Sequence, residues 1–184
     1  MNILVDRLPT EHNGLKIETN FRSFILFELL MQDRGLTKEE KIVLALKLFY
    51  KEIPKDIEKA LDVILWFYTR GEEQKKEAKE QKSNKERIYS YEHDANYIYS
   101  AFWHDYRLDL NEVDYLHWWK FKSLFEGLND ENKICQIMGY RSIDLNKIKD
   151  KEQKKKYKKL KTSYALPDER TEEEKEKDFA EAFW

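Results

Sequence analysis

Apolar positions recur at helical spacing through most of this chain, and short polar stops divide them into helix-length blocks. Asn20 precedes FRSFILFELLM and can cap a helix running through Met31. Thr37 and Glu40 form a T-x-x-E capping box ahead of a helix from Lys38 to about Tyr50. In that helix Ile42, Val43, Leu44, Leu46, Leu48 and Phe49 point in nearly every direction, as expected of a helix surrounded by others. Pro54 sits where a first-turn proline is tolerated, and Gly71 closes the helix it opens. Upstream, Ile3 to Val5 and Leu15 to Glu18 are β-prone runs separated by Pro9 and the turn pair Asn13-Gly14, so a small hairpin is expected within residues 1–19.

Residues 71–88, GEEQKKEAKEQKSNKERI, carry mixed charge and almost nothing apolar, and read either as a solvated helical extension or as a linker. A helix from Tyr91 to Tyr106 follows, with Tyr91, Ala95, Ile98 and Phe102 as its apolar stripe. Asp109 or Asn111 can cap the next helix, ending near Gly127, and Asp130 can start another through Met138 that Gly139 closes. On a wheel drawn from Val113, one arc holds Trp118, Phe121, Leu124 and Phe125, while Tyr115, Leu116 and Trp119 lie opposite. The first arc is expected in the core. The second is a candidate protein-binding face, with packing by the amino-terminal helices as the competing explanation. Beyond residue 140 the chain turns lysine-rich, then acidic after Pro167, where Thr171 and Glu174 form a second capping box and Phe179, Phe183 and Trp184 are further candidate contacts. The expected fold is therefore mainly α: a compact helical bundle over 1–140 with a small amino-terminal β-hairpin, and a charged helical extension over 141–184.

Composition narrows the class. Few glycines and prolines (5 and 3 of 184 residues) argue against a loop-rich β fold, and 41% hydrophobic content supports a real core. Charged residues make up 38%, but 34 basic against 36 acidic side chains leave a formal charge of −2, so bulk charge selects no partner. Cys135 has no intrachain partner, which excludes an internal disulfide and fits a reducing compartment. No signal-peptide pattern opens the sequence and no apolar run approaches the roughly 20 residues of a membrane span, so a cytosolic protein without membrane contact is expected.

No residue pattern in the chain points to reaction chemistry. His93 and His104 share a helix face, yet eleven residues place them about 16 Å apart, too far for one ion. Ser100 and His104 could touch, but no orienting acid or G-x-S-x-G turn accompanies them. No two glycines are close enough to form a phosphate loop. The expectation is no enzyme, no metal and no cofactor. The run KIKDKEQKKKYKKLK could contact phosphates, but it lacks arginine and precedes an acidic segment, which disfavours a nucleic-acid site.

The blocks ILWFYTRG from Ile64, YEHDANYIYSAF from Tyr91, LHWWKFKSLFEGL from Leu116 and IMGYRSIDL from Ile137 resemble, in order, a phage family named after "gene product fifteen" of a siphophage. The likeness runs from about Ile3 to Leu166 and stops before the acidic segment. It implies a tail-morphogenesis protein of long-tailed phages and prophages, similar to chaperones that bind the tape-measure protein, work with other tail assembly proteins in the host cytoplasm and are absent from the finished virion. It supplies no catalytic residues. A structural component of the tail or its joining region is the first alternative, and a nucleic-acid-binding accessory protein the second. Self-association is left open.

Overall fold

The computed structural model describes residues 2–72 and 87–167. Within them the order is a hairpin, β1 (Glu11–His12) and β2 (Leu15–Lys16), then helices α1 (Phe21–Gln32), α2 (Lys38–Phe49), α3 (Ile57–Tyr68), α4 (Ala95–Tyr106), α5 (Trp118–Glu126), α6 (Lys133–Ser142) and α7 (Lys151–Ser163). The fold is mainly α with a small amino-terminal hairpin.

Local chemistry sets the early elements. Asn13 and Gly14 both take positive φ, 51° and 75°, which turns β1 antiparallel onto β2 with His12 facing Leu15. The partner of Leu15 is thus His12; residues 3–5 form a turn instead of the first strand, because the two-residue Asn-Gly loop fixes the register to its immediate flanks. His12 then stacks flat on Trp66 of α3, with ring centroids 3.8 Å apart. The Asn20 side chain accepts from the Arg22 amide at the start of α1, and Thr37 with Glu40 completes the capping box of α2. For α3 the cap is Asp56, two residues beyond Pro54.

Helix α1 packs on α2 and α5, α3 packs on α2 and α5, and α6 packs on α4 and α7. Aromatic rings fill the centre. Trp118 stacks on Phe24 at 5.1 Å, while Phe121 stacks on Phe21 and Phe102 at 4.9 and 5.0 Å. Trp118, Phe121 and Phe125 are buried, and Leu124 is half-buried against the same core.

Two expected boundaries and one expected environment change for tertiary reasons. Helix α5 begins at Trp118, not at 109–111, because Phe21 and Arg22 of α1 take the carbonyls of Leu110, Asn111, Val113 and Leu116. The Arg22 guanidinium donates to the carbonyls of Val113 at 2.7 Å, Leu110 at 2.8 Å and Asn111 at 3.1 Å. The amide of Phe21 donates to Leu116 O and that of Trp118 to Thr19 O, both at 2.8 Å. Helix α6 runs through Gly139 to Ser142, held by Arg141. Helix α2 is not surrounded: Val43 and Leu44 are 46% and 41% exposed.

Candidate functional site

The tandem tryptophans finish the end of α3. Its last four carbonyls lack partners within the helix. Leu65 O accepts from the Thr69 amide, Trp66 O from Gly71 and Phe67 O from Arg70, with Arg70 and Gly71 both at positive φ. Trp119 Nε1 also donates to Phe67 O at 2.7 Å, and Trp118 Nε1 donates to Tyr68 O at 3.1 Å. Trp119 is therefore a core residue, 4% exposed, and not an open anchor opposite Trp118. The wheel that separated them began at Val113, five residues before the helix does.

His117 makes this placement possible. It caps α5 by accepting the Trp119 amide on Nδ1 at 3.1 Å, while Nε2 lies 2.9 Å from Pro9 O. A ring that accepts on one nitrogen and donates on the other is neutral. Burial agrees, lowering the His117 pKa below 6.5 against the opposing pull of Pro9 O. Tyr115 is 52% exposed, but its hydroxyl bonds Thr19 Oγ1 at 2.7 Å; Leu116 is half-buried. Tyr115 alone among the three proposed contacts presents substantial surface. Phe179, Phe183 and Trp184 lie outside the described residues, as does most of the 71–88 segment.

A polar group that the sequence did not announce sits beside Trp118. Tyr68 donates to Glu28 Oε1 at 2.8 Å, and the Lys122 ammonium lies 5.6–5.7 Å from the ring centres of Tyr89, Trp118 and Phe125. Burial raises the Glu28 pKa above its ordinary value and lowers that of Lys122, whose charge Glu28 partly restores. These groups bind one another. A second rivet joins α4 to α6: Arg141 Nη1 and Nη2 donate to the Asp94 carboxylate at 2.5 and 3.0 Å, and Nε donates to Tyr164 O at 2.6 Å. Among the described residues no group of three or more His, Cys, Asp or Glu could hold a metal ion, and no helix is long and apolar enough to cross a membrane.

What remains open to a partner is apolar. Leu26, Val43, Leu44 and Leu65, on α1, α2 and α3, are 41–53% exposed at interior helical positions. Two depressions also lie in file along α1. One, of about 500 Å³, is bounded by Phe21 and Ile25 on α1 and by Ala95 and Tyr99 on α4. The other, of about 630 Å³, is bounded by Leu26, Leu29 and Leu30 and, across from them, Glu92. The signal for the exposed residues was the excess of apolar positions on α2, where one buried face accounts for Ala45, Leu46 and Phe49 only.

The chain from residue 4 to residue 166 matches the sequence profile of the family described as Bacteriophage Gp15 protein. The chain belongs to that family. The match covers the seven helices among the described residues of this Gp15-family protein and the Trp118–Trp119 pair, and it ends where the acidic segment begins. No curated protein and no solved structure matches it.

Proposed function

We propose that this phage protein is a chaperone of tail assembly that binds the long tape-measure protein during growth of the tail tube and keeps it soluble. The observation that carries this reading is the set of apolar side chains left in solvent on the first three helices: Leu26, Val43, Leu44 and Leu65. Isolated exposed leucines are ordinary, but several at interior helical positions suit an apolar helical client. The charge of both signs elsewhere keeps such a complex in solution. Trp119 leaves the list of contacts, and Tyr115 stays as a peripheral one. The chemistry is binding without catalysis, and it takes place in the host cytoplasm, before the virion is complete.

Co-expression with the same phage's tape-measure protein tests it. Wild-type protein should recover soluble tape-measure protein, and the combined variant Val43→Glu, Leu44→Glu, Leu65→Glu should melt normally yet lose most of that recovery. Wild type that neither solubilises nor co-purifies with the client removes the chaperone reading; recovery of the protein from purified virions would favour a structural part of the tail.

A further inference from the structure

We propose that this chain forms a two-fold homodimer in which α2 packs antiparallel on α2 of a second copy. Ala45, Leu46 and Phe49 define the side of α2 that is buried in the fold. At about 100° per residue, Glu40 and Lys47 fall within about 20° of each other on the opposite side. Val43 and Leu44 lie between them along the helix axis and flank them, one on each side, 46% and 41% exposed. The outer face of α2 is thus acidic at one end, basic at the other and apolar in the middle.

This face is complementary to itself, and in one direction only. Its midpoint lies between Val43 and Leu44, with Glu40 and Lys47 each about 5 Å from it along the axis. A two-fold axis through that midpoint brings Glu40 level with Lys47 of the partner subunit, twice over, and sets Val43 and Leu44 each against its own copy. Parallel packing would set Glu40 on Glu40 and Lys47 on Lys47, which repels. Both charges are available. The Thr37 amide and hydroxyl, bonded to Oε2, hold the Glu40 carboxyl below its usual pKa, and among the described residues no bond falls on Oε1. Lys47 is exposed and joins no ion pair among the described residues. The contact is small and partly ionic, so association should be reversible and weaken with salt. The dimer does not depend on the chaperone reading; where both hold, a second copy and a client compete for Val43 and Leu44, and the free protein keeps that apolar face covered.

Sedimentation of the full chain, without any client, tests it. Wild type should shift from one copy to two as concentration rises. Lys47→Glu leaves only carboxylates along the contact and Glu40→Lys only ammonium groups, so each should weaken self-association at least tenfold. Mixed in equal amounts, the two variants should pair with each other nearly as well as wild type pairs with itself, because every acid then meets a base. That restoration separates a lost contact from a lost fold, since Glu40→Lys also removes the capping box. In a Cys135→Ala background, a short bismaleimide should link Val43→Cys chains in pairs at least fivefold faster than Trp103→Cys chains, whose exposed cysteine lies on α4. Wild type that stays a single copy up to millimolar concentration overturns the proposal. Charge variants that self-associate like wild type, a mixture that stays monomeric, or equal linking through residues 43 and 103 overturn it as well.

Discussion

Trp119 donates its indole N–H to the carbonyl of Phe67, one residue before the carbonyl that receives Trp118. The two bonds are unequal in consequence. Phe67 O keeps a second donor, the Arg70 amide at 3.2 Å, when Trp119 is lost, whereas the indole of Trp118 is the partner found for Tyr68 O. Trp119→Phe should therefore cost about 1–2 kcal/mol, and Trp118→Phe about 2–4 kcal/mol. Urea denaturation of both variants checks the order, and a Trp119→Phe loss equal to or larger than that of Trp118→Phe would show that Phe67 O depends on the indole.

The Asp94–Arg141 pair predicts a non-additive result. Arg141→Met alone strands a buried carboxylate and should cost about 3–5 kcal/mol, and Asp94→Leu alone should cost a similar amount. The double variant should be more stable than either single one. If it is instead as unstable as the two losses added, the ion pair carries no coupling and the single effects come from packing.

His117 sets a pH dependence. Its folded pKa lies below 6.5, so the unfolded chain binds the proton more tightly; the stability from neutral His117 is complete above 6.5 and declines as pH falls through 6.5 toward the folded value. In His117→Asn the amide oxygen can still cap α5 and does not titrate. Between pH 7.5 and 5.5 the wild type should lose more stability than this variant, as measured by denaturant midpoints. Parallel curves would rule out His117 as the source.

Two glycines should respond with opposite sign. Gly71 has φ +73°, and a Cβ there would meet the Trp66 ring at 3.1 Å, so Gly71→Ala should destabilise by more than about 1 kcal/mol. Gly139 lies inside α6 with open space around the Cβ position, so Gly139→Ala should stabilise by about 0.5–1 kcal/mol. Thermal melts should move in opposite directions.

Sequence legibility followed the range of the interactions. Asn20 and Thr37 were readable as caps because a cap is decided within four residues, and the Asn13-Gly14 turn because both positive φ angles belong to the pair itself. Asp109 and Asn111 have the right chemistry for a cap, yet Arg22 claims the carbonyls of 110, 111 and 113 from about ninety residues away, and no local pattern carries that information. The Trp118–Trp119 misreading followed directly, since a wheel gives true faces only where the backbone is helical. Gly139 failed for the opposite reason: tertiary packing of α6 and the Arg141 anchor outweigh one weak helix former.

The grip of Arg22 on the 110–113 loop also sets an order in time. Val113 leaves the ribosome 91 residues after Arg22, a delay on the order of ten seconds at ordinary elongation rates. Throughout that interval α1 has neither the loop that satisfies its guanidinium nor the Trp118 ring that covers Phe24. The emerging first half is thus a three-helix fragment with an aromatic flank still bare, and it depends on its own later residues before it can become a finished protein.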